Sequence, residues 1–302
     1  MPVRLRNALS AVLITVSCLL APFGTLAAWA AYGLADTGRY VRAMAPLAGD
    51  PAVRAAVAET VGDGIERRVD LGPTAPYVRA AVRSFTRTDA YRAGWDAANR
   101  ATHAAVLDAV RDRAGGGRPV TVDLAPVAAR VRRQLAHDGL PLADRVPVPR
   151  TRVAVLPARD VERLRKGYDV LEVAAVWLPS AAVALALAGI ALATCRRRAV
   201  TATGLGTALG GALLGVAVAV GRHLTVAGIA DDLHRPAAGA VYDALTATLR
   251  TTSWLLLALG LTAALTAWLT RFAPVRALPH RLRGHPGPPT PVPETPQARA
   301  QA

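Results

Sequence analysis

Cysteine, lysine and aromatic side chains are all scarce in this 302-residue chain. The two cysteines, Cys18 and Cys195, lie in or beside apolar runs, so no disulfide framework can hold an exposed part together. Only Lys166 is a lysine, so the excess of 36 basic over 21 acidic residues is carried by arginine. Catalytic motifs are missing as well. No GxSxG elbow, HExxH pair, CxxC pair or Walker loop occurs, which removes the support for an ordinary hydrolase, a zinc protease or a nucleotide-driven machine.

Apolar residues, by contrast, are abundant: 52% of the chain is hydrophobic while only 5% is aromatic. The mean hydropathy of +0.28 is concentrated in alanine, valine and leucine runs, which excludes disorder of the whole chain. Four runs, 8–31, 173–194, 199–220 and 253–270, are long enough for a helix to cross the roughly 30 Å hydrocarbon layer. None contains Asp, Glu, Lys, Arg or His, so each suits a lipid-facing helix. Pro22 and Pro179 can kink theirs. The first run could instead be a cleaved signal peptide, since Arg4 and Arg6 precede it and Ala28-Trp29-Ala30 has the small-x-small form, but it exceeds the usual signal core.

Arginines in the short flanking segments set the expected orientation. Arg4, Arg6, Arg196, Arg197, Arg198, Arg271, Arg276, Arg281, Arg283 and Arg299 fall on one face. The 221–252 connection carries Arg222, Arg235 and Arg250, offset by Asp231, Asp232 and Asp243. Residues 1–7, the 195–198 loop and the Pro/Arg-rich tail 271–302 are therefore expected in the cytoplasm, and 32–172 and 221–252 outside it in a plasma-membrane protein. Trp29, Trp177 and Trp254 are expected at the outer interface, with Trp268 at the inner one.

Residues 32–172 are enough for an independent domain. Asp50-Pro51 reads as a capped helix start, followed by a stripe of Val53, Val57, Val61, Ile65 and Val69. A second helix is expected from Asp89 to about Arg113, with Tyr91, Trp95, Ala98, Val106 and Val110 on its apolar side and Gly115, Gly116 and Gly117 at its end. Segments 119–124 and 151–156 read as strands around a helix that Asp123 caps, that bears Val127, Val131 and Leu135, and that Gly139 closes. That order allows a β-α-β unit, so the expected fold class is a mainly α membrane protein: four transmembrane helices with a helix-rich α+β extracytoplasmic domain. Val161, Leu164, Tyr168 and Leu171 continue as an amphipathic helix into the second span.

Three polar or small-residue groups stand out. Asp96, Asn99, Arg100 and His103 share one helical strip, which reads as an Asp96–Arg100 ion pair beside a histidine rather than as a catalytic set. His223, Asp231, Asp232 and His234 are metal-ligand types at a spacing that fits no zinc pattern, so no metal site, catalytic residue or cofactor is expected. Gly206 with Gly210 and Gly211 with Gly215 form adjacent small-xxx-small spacings for close helix packing. The partner of that face can be another span of the chain or a second copy. Cys195 beside three arginines stands at a juxtamembrane position that suits acylation. Over 32–172 the balance of 23 basic against 17 acidic residues reads as a solvated surface, with membrane lipid rather than nucleic acid as the expected partner and the extracytoplasmic ligand unspecified.

The stretches DTGRYV (36–41), APLAGDPAVRAAVAE (45–59), WDAANRATHAAVL (95–107), VDLAPV (122–127) and RLRKGYDVLEVAAVWLP (163–179) resemble a family of uncharacterised actinobacterial integral membrane proteins with one large outer domain after the first span. The resemblance implies a topology and a cell-envelope setting, with no activity attached. The expected role is a non-catalytic envelope scaffold or a binding and sensing component. Two alternatives stay open: a transporter or channel subunit built on spans two to four, and an envelope hydrolase, which would need Asp96 and His103 to converge with other acids.

Overall fold

A computed structural model describes residues 2–67, 70, 72–112, 120–123, 125, 129, 131, 133 and 152–270. In chain order the elements are α1 (Val3–Trp29), continued by a π-helical turn (Ala30–Leu34), α2 (Thr37–Met44), a 3₁₀ segment (Ala45–Gly49) and α3 (Pro51–Glu66). A further 3₁₀ turn (Gly72–Thr74), α4 (Ala75–Phe85) and α5 (Asp89–Arg111) follow. The strands β1 (Val120–Asp123) and β2 (Arg152–Leu156) precede the long helices α6 (Ala158–Leu192), α7 (Arg196–Ala227) and α8 (His234–Leu269). Four of these segments, Val3–Leu34, Arg159–Leu192, Arg196–Ala227 and His234–Leu269, are long and apolar enough to cross a membrane.

The four long helices form a bundle in which α1 packs on α6 and on α7, and α7 packs on α8. Small residues make the first pairing possible. Ser10, Ser17 and Gly24 recur every seven residues on α1, a spacing that keeps one face of a slightly underwound helix turned to its neighbour. The Ser10 and Ser17 hydroxyls donate to the Gly189 and Ala182 carbonyls of α6, each at 2.6 Å, and Gly24 lies against the backbone of Leu178 and Pro179. A buried hydroxyl of this kind acts as interhelical glue, each worth about 0.6 kcal/mol in a membrane. The same seven-residue rhythm recurs on α8, where Gly239, Thr246, Ser253 and Gly260 are all buried.

The segment 221–252 is almost entirely helix rather than an extended connection. Only residues 228–233 separate α7 from α8. With 36 residues, α8 is about 54 Å long at 1.5 Å per residue, well beyond the roughly 30 Å of hydrocarbon. Its N-terminal turns therefore stand clear of the apolar stretch and join the residues between α1 and α6 in one head. The head core consists of Met44, Leu47, Val53 and Ala56 from the α2–α3 region together with Ala237 of α8, and Tyr40, Trp95 and Val241 pack against it.

Within the head, Asp50 caps α3 by accepting from the Ala52 and Val53 N–H groups at 2.8 and 3.1 Å. The expected stripe holds for Val53 and Val57, but Val61 is 43% exposed. Four-residue steps drift about 40° each around a helix of 3.6 residues per turn, so two steps carry Val61 some 80° off the core. Val69 lies outside the described residues. Thr88 caps α5 through the Tyr91 N–H, and the helix ends at Arg111.

The α+β expectation for 32–172 is overturned. Apart from turns and short connections, the described residues of the head are helical except for β1 and β2, which pair with each other antiparallel and form no sheet layer on which helices could stack. A β-α-β unit requires parallel strands, so that unit is absent among the described residues. Alternation of apolar residues signalled extended backbone in both segments, but pairing direction is a long-range outcome that periodicity does not carry. Of the helix expected between them, Ala125, Ala129, Val131 and Arg133 are helical. Val127, Leu135, Gly139, the Gly115–Gly117 run and the tail 271–302 lie outside the described residues.

Candidate functional site

The place where the head meets the bundle gathers most of the long-range polar contacts that tie the two together. A helix leaves its last carbonyls without intrahelical donors. At the end of α1, the widened π turn presents the Leu34 and Ala35 carbonyls to two side chains of α5. His103 Nε2 donates to Leu34 O at 2.8 Å, and Arg111 Nη2 donates to Ala35 O at 3.2 Å. Because a carbonyl can only accept, Nε2 carries a proton, and Nδ1 shares a hydrogen bond with the Thr37 hydroxyl at 3.1 Å. Tyr40 stacks on the same ring with centroids 4.2 Å apart, and burial pushes its phenol pKa up.

Helix α6 is fastened to the same point. The Arg111 guanidinium sits 5.7 Å above the Tyr168 ring, with Nε donating to its hydroxyl at 3.2 Å, and Arg165 Nη2 donates to the Ala109 carbonyl at 3.1 Å. Thus α1, α5 and α6 are locked together by three cationic or imidazole side chains on terminal carbonyls. Asn99 accepts from the Tyr40 hydroxyl at 3.4 Å, and Trp95 Nε1 donates to Met44 O at 2.9 Å, extending the network into the head core. Of the strip Asp96, Asn99, Arg100 and His103, the structure brings Asn99 and His103 into this network; among the described residues no ion pair joins Asp96 to Arg100. Thr37, Arg111 and Arg165 have no distinguishing sequence pattern, and Tyr168 reads only as part of an apolar stripe, because their partners are 56 to 76 residues away.

The second polar group is divided by the fold. Asp231 accepts from the Leu233 N–H at 2.9 Å and from His234 Nδ1 at 2.7 Å, and these bonds hold its carboxyl below the ordinary aspartate range. Asp232 pairs with Arg235, while His234 Nε2 reaches the Thr60 hydroxyl of α3 at 3.3 Å. His223 is exposed on α7 with no part in this turn. These groups start α8 and dock it on the head. Nearby, Asp243 of α8 is held between Arg222 of α7 at 3.0 Å and Arg250 at 3.2 Å. In α3 and α4, Arg79 bridges Glu59, Asp63 and Glu66. The Arg79 hydrogen bond keeps the Glu66 carboxyl below its usual range, and Glu66 in turn raises the pKa of Arg79.

The glycine face of α7 divides between two neighbours. A Cβ at Gly206 would run into Cys18 of α1, and one at Gly210 would stand in ordinary contact with Pro22, 3.4 Å away. On the other side, a Cβ at Gly211 would approach Ser253 O and Leu257 N at 2.8 Å, while Gly215 faces the Ser253 side chain at 3.5 Å. The first glycine pair therefore seats α1 and the second seats α8. Gly204, which stands alongside these pairs in the sequence, also seats α8: a Cβ there would meet Gly260 O at 2.7 Å and Ala264 N at 2.8 Å. Trp29 is not a free interfacial anchor but packs on Leu214, Val218 and Leu249, whereas Trp177 and Trp254 are 70% and 66% exposed.

No family model, curated protein or solved structure matches this chain.

Proposed function

We propose that the chain is a multi-pass plasma-membrane protein with both termini in the cytoplasm, whose extracytoplasmic head serves as a non-catalytic binding or sensing component or an envelope scaffold. The observation that carries this is mechanical. The head core is closed by α8 itself, and α1 and α6 enter the head without a flexible linker, clamped by His103, Arg111 and Arg165. A load or ligand taken up by α2–α5 would be felt directly by three of the four bundle helices. The resemblance of the head segments to envelope proteins fits the same setting.

Arginine asymmetry supports the sidedness. Arg4, Arg6, Arg196, Arg197 and Arg198 lie together at the bundle end away from the head, where Arg6 reaches Leu192 O and Arg197 reaches Thr270 O. A transporter or channel subunit finds less support, because the faces of α7 that would line a pathway are in close contact with α1 and α8.

Thiol labelling tests the arrangement. A membrane-impermeant maleimide applied to intact cells should label a Tyr77→Cys variant, whose side chain is 78% exposed on the head, and spare native Cys195 until the cells are permeabilised. The reverse pattern would overturn the orientation. Solute flux through the purified protein in liposomes would move the function to the transporter class.

A further inference from the structure

We infer that the bundle end opposite the head holds an anionic phospholipid, with its phosphate on Arg196 and Arg198 and an acyl chain running along the surface between α1 and α7. The inference rests on the multi-pass membrane reading but not on which side of the membrane that end faces.

Two cavities meet there. The first, of about 780 Å³, is lined by Cys195, Arg196, Arg197, Arg198, Leu205 and Trp268, among others. The second, of about 580 Å³, is a wholly different environment: Ile14, Cys18, Pro22 and Phe23 of α1 face Gly206, Leu209 and Leu213 of α7. Ala202 lines both, and Leu205 of the first stands one helical turn from Leu209 of the second, so the cationic cleft opens into the apolar groove. From Ala202 to Ala217 the groove runs about 22 Å along α7, more than the roughly 15 Å depth of one leaflet. Its floor is the close contact of Gly206 and Gly210 with Cys18 and Pro22 of α1.

Charge selects the occupant. The sequence has no Asp or Glu in 1–35, in 173–230 or in 244–270. Five arginines, Arg4, Arg6, Arg196, Arg197 and Arg198, thus share this end with no carboxylate among the described residues to neutralise them. Arg197 is engaged with the Thr270 carbonyl at 3.0 Å, leaving Arg196 and Arg198, both exposed, to face an anion. Guanidinium matches phosphate geometry and is worth most at a membrane surface, where each basic residue strengthens anionic-lipid binding several-fold. A zwitterionic headgroup would place its ammonium among these cations, and a free phosphate would leave the groove unused.

Native mass spectrometry of the full chain released from detergent, after incubation with equal phosphatidylglycerol and phosphatidylcholine, tests the assignment. The wild type should retain phosphatidylglycerol at least tenfold more than phosphatidylcholine. Arg196→Gln with Arg198→Gln should weaken phosphatidylglycerol roughly thirtyfold, to the phosphatidylcholine level, while Arg196→Lys with Arg198→Lys should keep most of it. Ala202→Phe, at an exposed position where the cleft enters the groove, should lower retention with every arginine in place. Unchanged preference in the double glutamine variant would overturn the proposal. So would full retention in Ala202→Phe combined with displacement by inorganic phosphate, which would make this a site for a free anion. Binding of neither lipid would instead count against the membrane reading itself.

Discussion

The α7–α8 seam offers the sharpest test of the packing argument through Gly260→Ala. An added Cβ would stand 2.5 Å from the Gly204 carbonyl oxygen and 2.9 Å from Ala208 Cα, and its neighbours are backbone, which cannot rotate aside. Ordinary contact begins near 3.4 Å. The two helices must therefore part locally by about 1 Å, a gap that forfeits a quarter to a half of each neighbouring dispersion contact. Overpacking of this kind costs about 1–3 kcal/mol, against about 1 kcal/mol regained because alanine is the better helix former. Gly210→Ala is the matched control, since its Cβ would meet Pro22 at 3.4 Å and Cys18 O at 3.5 Å and displace nothing. Thermal unfolding in detergent should place Gly260→Ala below the wild type by up to about 2 kcal/mol and Gly210→Ala at or above it. Equal midpoints for the two variants would refute the claim that backbone contact, rather than glycine content, holds this pair together.

Other consequences follow from the head. Met44→Ala, at a side chain only 3% exposed, should cost about 2–5 kcal/mol and speed hydrogen exchange in 234–246 of α8 as well as in 37–57; unaltered protection in α8 would mean the two do not share a core. The Glu66 carboxyl is held below its unfolded value of about 4.3, so its contribution to docking α4 is present above that pH and is lost as pH falls through the lower folded value. Exchange protection of Ala75–Phe85 should accordingly fall on acidification below about pH 4, and equal protection at pH 7 and pH 3 would contradict the Arg79 clamp. The Tyr91 hydroxyl is buried without a hydrogen-bond partner among the described residues, and burial raises its pKa. Tyr91→Phe should leave stability unchanged or raise it by about 1 kcal/mol, since an unmatched polar group is removed; a clear loss in denaturant titration would show a missing partner.

Much of this architecture was legible in the chain because its cause is local. Lipid-length runs without ionisable side chains specify long apolar helices, Asp50-Pro51 specifies the start of α3, and glycines four apart on α7 specify close approach. The seven-residue recurrence of Ser10, Ser17 and Gly24 was equally readable, though a search for spacings of four passes over it. Other features could not be read that way. Periodicity in 119–124 and 151–156 marks extended backbone but leaves its partner and direction open, and the antiparallel ribbon that forms is no β-α-β unit. The polar residues of 221–252 look like a loop because amphipathic helix leaving a membrane has the composition of one; only contact with Met44, Val53 and Ala56 makes those turns of α8 part of a core.

Sequence by itself determined where backbone must be helical and apolar, since hydrogen bonding and transfer from water act on each segment alone. Tertiary structure decided which faces meet. His103 becomes a clamp on Leu34, Trp29 a packed wedge, and each glycine pair of α7 a seat for a different helix, because such roles depend on atoms brought close by the rest of the fold.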